Sequence, residues 1–397
     1  MSGPMAFVWD DELRHYDFGP GHPLSPIRTV LTYKLIESLK ILEQPHCQLI
    51  GDVELATDED LLRVHEPELI ESVKLASEGT GYRDLSRGLG TDDVPVFDGM
   101  HTAAARVCGA TLAAARAVHS GSATHAVNIA GGLHHSMPGS ASGFCVYNDV
   151  GVAIAWLLEQ GVERIGYVDV DVHHGDGVQE IFYDDPRVMT ISLHESGKTL
   201  FPGTGRHTEI GGPNALGTAV NIAVPAGTTD DGWLRAFDAI VPKVLQKFQP
   251  QILVTQQGCD SHRDDPLAHL RLTIEGQRAS YLRLHDLAHQ LCDGRWIATG
   301  GGGYDWVDVV PLAWSHLTAI AAGQPIPTTA PVPSDWRTLV KAALGQDSPE
   351  VMGNGASLHV RPWSLGYDPL DSLDKSVLRT EEAVYPALGL LADPYAF

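Results

Sequence analysis

RIGYVDVDVHHGDG, residues 164–177, decides how the rest of the chain is read. It begins as an apolar run of strand length and ends in a glycine-bounded cluster of acids and imidazoles. As an extended segment it puts Asp169, Asp171 and His173 at i, i+2 and i+4 on one face, with Val168, Val170 and Val172 on the other. Three polar side chains then leave the end of a buried strand in one direction. A buried carboxylate is costly unless a cation or a histidine faces it, so the cluster asks for a metal or a charged partner. In a solvated turn it would need neither, but the pattern does not stand alone. TQQGCDSH, residues 255–262, brings Asp260 to the end of a second apolar run. Two carboxylates and one imidazole suit a divalent ion with an open position, and Asp171, His173 and Asp260 could hold it.

Outward from this stretch, short apolar runs alternate with helical patterns. Strands are expected at HAVNIAGG (125–132), RVMTISL (187–193), TAVNIAV (218–224), QILVTQQ (251–257) and RWIATG (295–300). Helices are expected at 101–121, 149–161, 230–248, 273–294 and 307–323, several with a capping residue before them and glycine after. This alternation predicts an α/β fold: a single domain whose mostly parallel central sheet is flanked by helices on both faces. In such sheets the ligand crevice lies beyond the carboxyl ends of the strands. The catalytic domain is expected over residues 1–323. QPIPTTAPVPSDW (324–336) reads as an extended strap, followed to residue 397 by a tail with one helical pattern (DWRTLVKAALG) and turn-rich sequence. Trp336, Trp363, Tyr367 and Tyr385 argue that this tail packs on the domain.

The chain has 397 residues and a formal net charge of -23, from 50 acidic and 27 basic residues. Such a charge repels phosphate backbones and anionic headgroups, which excludes nucleic acid and membrane as direct partners and leaves basic peptides suitable. The amino terminus has no charged segment followed by an apolar one, and no apolar run has the length of a membrane span. The five cysteines are scattered, without a CxxC pair, as expected of thiols in a reducing compartment. The expected location is the cytoplasm.

GGLHHSMPGSASGFCVYND, YVDVDVHHGDGVQ, VMTISLH, FPGTG, QGCDSHRDDPLAHLRLT and GGGGY follow one another between residues 131 and 304. Together they resemble, in order, the motif series of the zinc-dependent histone deacetylase superfamily. YDFGPGHPLSPIR is similar to that family's start, so the resemblance runs from about residue 16 to 322. The tail is similar to that of bacterial acetoin utilization proteins. The resemblance implies an arginase-like α/β domain and metal-dependent hydrolysis of the acetyl amide of Nε-acetyl-lysine in proteins or peptides. It makes Asp171, His173 and Asp260 ligands of Zn2+, with Fe2+ an alternative because borderline ligands accept both. His134 and His135 would stand beside the reacting water on a glycine-rich loop, hydrogen-bonded by Asp169 and Asp176 respectively. His135 is then the main general base and acid, and His134 an electrostatic partner. Tyr304 would hydrogen-bond the substrate carbonyl and its oxyanion, although GGGGY alone reads as a flexible turn.

For the substrate, the resemblance points to Gly143, Phe144 and Phe201 around the acyl-lysine stem. Read alone, the two phenylalanines have the plainer alternative of ordinary core residues. Asp92 corresponds to a rim aspartate that binds substrate backbone, with Asp93 an adjacent competitor. Thr91 and Leu133 depart from the pattern, standing where many relatives carry aromatic residues. Arg28 corresponds to an inner-cavity arginine that accompanies acetate exit, or else forms a surface salt bridge. Potassium would bind Asp169, Asp171 and Ser192 with the carbonyls of His173 and Leu193. A second monovalent ion would lie among the carbonyls of Phe182, Asp185, Val188 and Val220. The implied partner is an acetylated protein, for instance acetyl-CoA synthetase. Rival readings are an amidohydrolase of small acetylated amines such as acetylpolyamines, a binding module that has lost the chemistry, and a two-metal ureohydrolase.

Overall fold

In the computed structural model, residues 3–392 are described, so the outermost residues of the expected domain and tail, 1–2 and 393–397, lie outside the described residues. The apolar runs become β1 (Met5–Val8), β2 (Cys47–Ile50), β3 (His125–Asn128), β4 (Ile165–Asp169), β5 (Val188–Glu195), β6 (Ala219–Val224), β7 (Ile252–Gln256) and β8 (Trp296–Thr299). They form one eight-stranded sheet in the order β2-β1-β3-β8-β7-β4-β5-β6. Every pairing is parallel, so the expected "mostly parallel" sheet is wholly so. Every residue of β3, β4, β5, β7 and β8 is buried, as in a sheet covered on both faces. The expected helices form at Met100–His119, Asp149–Glu159, Asp230–Phe248, Ile274–Leu291 and Val310–Ala321. No described helix is long and apolar enough to cross a membrane.

Strand order places the chemistry. The segments that follow β3, β4, β7 and β8 carry GGLHH, DVHHGDG, QGCD and GGGGY, and these four strands are neighbours at the middle of the sheet. Sequence-distant clusters are therefore delivered to one rim.

One expectation changes in detail. β4 pairs only as far as Asp169, opposite Gln256 and Ser192, so Asp171 and His173 stand beyond the strand and not on one strand face. The carboxylates themselves break the extended run: Asp171 N donates to Asp169 Oδ1 (3.2 Å) and His173 N to Asp171 Oδ1 (3.0 Å). Aspartates that accept from the backbone two residues onward turn the chain.

The tail contains the helix Ser334–Leu344, as the pattern predicts, and a second helix, Ser372–Leu388, that the sequence pattern did not reveal. The second helix covers the edge strand β6, where Thr380 Oγ1 donates to Asn221 O (2.7 Å), and Tyr385 donates to Ala239 O (3.2 Å). Trp336 is buried and donates to Leu31 O (2.9 Å), whereas Trp363 and Tyr367 are half-buried. Arg235, on the helix Asp230–Phe248, makes a bidentate pair with Asp374 (2.7 Å for each contact) and also donates to the carbonyls of Arg361, Pro362 and Gly366. Both charges are buried.

Removing one partner of a buried pair leaves an uncompensated charge, which costs about 3–5 kcal/mol. Asp374→Ala should therefore lower the thermal unfolding midpoint clearly, measured by calorimetry. An unchanged midpoint would show that the clamp does not contribute to stability.

Candidate active site

Asp171, His173 and Asp260 meet beyond the ends of β4 and β7, with ligand atoms within 4.8 Å of one another. His173 Nδ1 lies 3.1 Å from Asp171 Oδ1 and 3.0 Å from Asp260 Oδ2. The opposite oxygens are held from behind. Gln256 Nε2 and Gly302 N each donate to Asp171 Oδ2 at 2.7 Å, and Val172 N donates to Asp260 Oδ1 at 2.9 Å. Each carboxylate thus keeps one oxygen facing the imidazole. Glycine is required at 302, where a Cβ would lie 1.9 Å from Asp260 Oδ2 and 2.8 Å from Asp171 Oδ2.

Burial and the adjacent Asp171 raise Asp260 to about 6. Burial pulls His173 down, but the two carboxylates more than reverse it, to about 10. The site is thus built around positive charge, and a divalent ion can replace the imidazole proton there. Two carboxylate oxygens and one ring nitrogen are a fitting donor set for a borderline transition ion.

His134 and His135 stand on the loop after β3. His134 Nδ1 is 2.7 Å from Asp169 Oδ2, and His135 Nδ1 is 2.6 Å from Asp176 Oδ1. Their Nε2 atoms are 3.0 Å apart, within hydrogen-bond distance of each other. The two rings are tuned in opposite directions. Burial lowers His134, but Asp169 and Asp171 outweigh it and raise it to about 9. Burial and the neighbouring His134 charge lower His135, against the pull of Asp176. Gly143 approaches so closely that a Cβ would lie 2.2 Å from His135 Cδ2. Tyr304 is half-buried beside them, its N–H donating to Asp265 Oδ2 (2.9 Å). Burial and the Asp260 carboxylate hold its hydroxyl well above the usual tyrosine range, so it is a donor at neutral pH.

Residues 22–321 match the histone deacetylase domain model. The chain belongs to that family. It is 43% identical over 336 residues to the acetoin utilization protein AcuC of Bacillus subtilis (strain 168), covering 83% of this chain and 85% of that one. The AcuC protein of Staphylococcus xylosus is 37% identical over 340 residues, covering 85% and 87%. A crystal structure of an HDAC homolog complexed with SAHA superposes with a TM-score of 0.80 at 26% identity, covering 96% of this chain and 100% of that one. The protein is an AcuC-like deacetylase, a hydrolase acting on amides, with the expected arginase/deacetylase fold. This removes the reading of a binding module without chemistry.

A small cavity in this deacetylase is lined by His134, His135, Gly143, Phe144, Asp171 and Tyr304, among others. The Phe144 ring contacts Tyr304 (5.8 Å between centroids) and His22 (4.6 Å). Phe201 is 45% exposed, with its ring 5.1 Å from His135 and 6.3 Å from His173. Neither phenylalanine is an ordinary core residue. Asp93 Oδ2 accepts from Gly143 N (2.7 Å), while Asp92 is exposed. Arg28 is buried and donates to Gly301 O (2.6 Å) and Gly303 O (3.2 Å), so it is no surface salt bridge. It lines a second small cavity that shares Leu24 and Leu133 with the first.

Of the expected monovalent-ion residues, Asp169 stands opposite Ser192 in the β4–β5 register, and Leu193 follows it. Phe182, Asp185 and Val188 share one turn, in which Asp185 N donates to Phe182 O and Val188 N to Asp185 O (3.1 and 3.2 Å). Val220 is opposite Ile191 in the β5–β6 ladder.

Sequence reasoning missed Tyr167, whose hydroxyl donates to Asp169 Oδ2 (2.6 Å), and Gln256, which orients Asp171. Both lie in strands read only for apolar character. Their signal was a polar side chain inside an otherwise apolar run. Asp149, accepting from Gly132 N (3.0 Å) and Leu133 N (2.7 Å), likewise anchors the histidine loop.

Because a Cβ at 302 must displace Asp260 or Asp171, Gly302→Ala should reduce deacetylase turnover by about 100-fold or more, the scale of an ångström of misplacement. Circular dichroism should remain that of the parent. Turnover within threefold of the parent would contradict the tight packing described.

Proposed function

We propose that this deacetylase hydrolyses the acetyl amide of Nε-acetyl-lysine in proteins or peptides, with Asp171, His173 and Asp260 holding a divalent ion, Zn2+ or alternatively Fe2+. One observation carries the reading: Asp171, His134, His135 and Tyr304 line a single cavity, and the ligand atoms of His173 and Asp260 lie within 4.8 Å of that of Asp171. When bound, such an ion is a Lewis acid that polarises the acetyl carbonyl and acidifies water. The remaining steps belong to the protein's own side chains.

Asp176 accepts from His135 Nδ1–H, which leaves Nε2 with a lone pair in the neutral ring. His135 Nε2 takes a proton from the attacking water as its oxygen bonds to the carbonyl carbon. His134, held protonated by Asp169, contributes positive charge beside the developing oxyanion. The Tyr304 hydroxyl donates to the carbonyl oxygen as charge builds on it. When the C–N bond breaks, His135 returns its proton to the leaving amine. The products are acetate and an unmodified lysine side chain, and Arg28 in the adjoining cavity is suited to accompany the acetate outward.

Phe144 and Phe201 suit the apolar lysine stem. With Asp93 engaged at Gly143, exposed Asp92 is the rim carboxylate available to substrate backbone N–H groups. A net charge of -23 favours basic, lysine-rich surroundings. A cytoplasmic enzyme such as acetyl-CoA synthetase is the substrate that the acetoin utilization relatives suggest. Potassium would occupy the Asp169, Asp171, Ser192, His173 and Leu193 group, with a second ion at the Phe182–Val188 turn and Val220.

Tyr304→Phe should keep the metal content of the parent and lower kcat by about 100-fold or more, the effect of losing one oxyanion donor. An unchanged kcat at equal metal loading removes Tyr304 from the mechanism.

The substrate class is tested by kcat/KM for an acetyl-lysine peptide against acetylated putrescine, spermidine and cadaverine on the same Zn2+-loaded enzyme. The peptide should be preferred. A tenfold preference for the polyamines would favour the small-amine reading while leaving the residue roles intact.

A further inference from the structure

A second cluster of imidazoles lies at the other end of the sheet. His125 is the first residue of β3, at the amino ends of the strands, whereas the active site lies beyond their carboxyl ends. His285 and His289 stand four residues apart on the helix Ile274–Leu291, a spacing that puts two side chains on one helical face. Ring centroids are 4.9 Å apart for His125 and His285, 5.0 Å for His125 and His289, and 4.6 Å for His285 and His289. One ring nitrogen from each lies within 4.8 Å of the other two. Trp296, 5.7 Å from His125 and 5.9 Å from His285, closes the apolar side.

The hydrogen bonding indicates what the cluster lacks. His125 Nδ1 is 2.7 Å from Ala321 O, and a carbonyl only accepts, so the proton is on Nδ1. Nε2 of the neutral ring is left as a bare lone pair. It is buried, in a residue with no exposed surface, and has no hydrogen-bond partner. His285 Nε2 is also buried and without a partner. Two unpartnered imidazole nitrogens in one place are unusual, because buried polar atoms are generally paired. An N–H held by a backbone carbonyl is moreover the usual arrangement behind a metal-bound histidine.

We propose that His125, His285 and His289 form a second divalent transition-metal site, separate from the deacetylase centre. Three imidazoles with no carboxylate among them suit Zn2+, Cu2+ or Ni2+ and not Mg2+ or Ca2+. Burial and the neighbouring imidazoles hold His125 near 4, and burial lowers His285, so both rings are neutral and able to ligate at physiological pH. His289 is exposed and leaves one side of the site open to solvent. The ion would fasten the helix Ile274–Leu291 to β3 and, through the Ala321 carbonyl, to the end of the helix Val310–Ala321.

The test uses the full chain, stripped of metal and titrated with Zn2+ alone in equilibrium dialysis. The parent should bind about two ions. His285→Ala/His289→Ala should bind about one and keep the turnover of the metal-loaded parent, since neither residue touches the catalytic cavity. Loss of those two ligands should weaken the second site by more than the 10- to 100-fold typical of a lost outer-shell partner. Asp171→Ala should retain one ion, which separates this site from the catalytic one. Equal stoichiometry for the parent and the double variant would overturn the proposal. A second readout is the nitrogen splitting in the electron paramagnetic resonance spectrum of Cu2+ bound to Asp171→Ala. Three nitrogens are expected, and two would assign the ion to the helical pair without His125 and overturn the three-histidine site.

Discussion

Two carboxylates with almost no exposed surface, Asp171 and Asp260, sit side by side at the ends of neighbouring strands, and much of the surrounding structure serves to make that possible. Their outer oxygens accept from Gln256, Gly302 and Val172, which fixes their orientation, while their inner oxygens face His173. Charges this deeply buried are tolerated only with compensation at short range. That requirement explains the glycines at 258 and 302, where a Cβ would lie 2.1 Å from Asp171 Oδ2 and 1.9 Å from Asp260 Oδ2. It also explains why the strands here carry polar residues on a buried face.

The same constraint extends to the histidine pair. His134 and His135 are adjacent in the chain but are bound to different carboxylates, and His134 lies closer to the Asp169–Asp171 charge. One ring is thereby raised and the other lowered. Neighbouring groups with divergent proton affinities can divide acid–base and electrostatic roles between them. The division is made by the loop, held in place through Asp149, Asn148 and the close approach of Gly143.

Away from this rim, the fold uses charge differently. Arg235 and Asp374 are also buried, but they satisfy each other and three backbone carbonyls, so the pair needs no ion and joins the tail to the domain. The three-histidine cluster under β3 is the contrasting case. Two of its nitrogens, His125 Nε2 and His285 Nε2, are buried and have no hydrogen-bond partner. Compensated and uncompensated burial thus distinguish a structural clamp from a ligand site within one molecule.

Much of this was legible in the residues. The alternation of apolar runs and helical patterns from residue 101 onward is a local signal, and it yielded the strands β3 to β8 and five of the helices around them, but not the short helix Asp176–Phe182 between β4 and β5. The ligand group was read from two motifs, with His173 and Asp260 87 residues apart, and both histidine–aspartate pairs, 35 and 41 residues apart, were implied by the family resemblance. Short or half-exposed elements left less trace: β1 has four residues, β2 lies at the sheet edge, and the helix Ser372–Leu388 is rich in charge and contains Pro386. The sequence by itself determined which side chains could ligate, accept protons and pack. Only the tertiary structure decided that β3, β8, β7 and β4 are neighbours, that Gln256 and Tyr167 orient the acids, and that His125 meets His285 and His289. Periodicity reports the environment of a residue along its own element, whereas these contacts depend on strand order and packing between segments up to 164 residues apart in the case of His125 and His289.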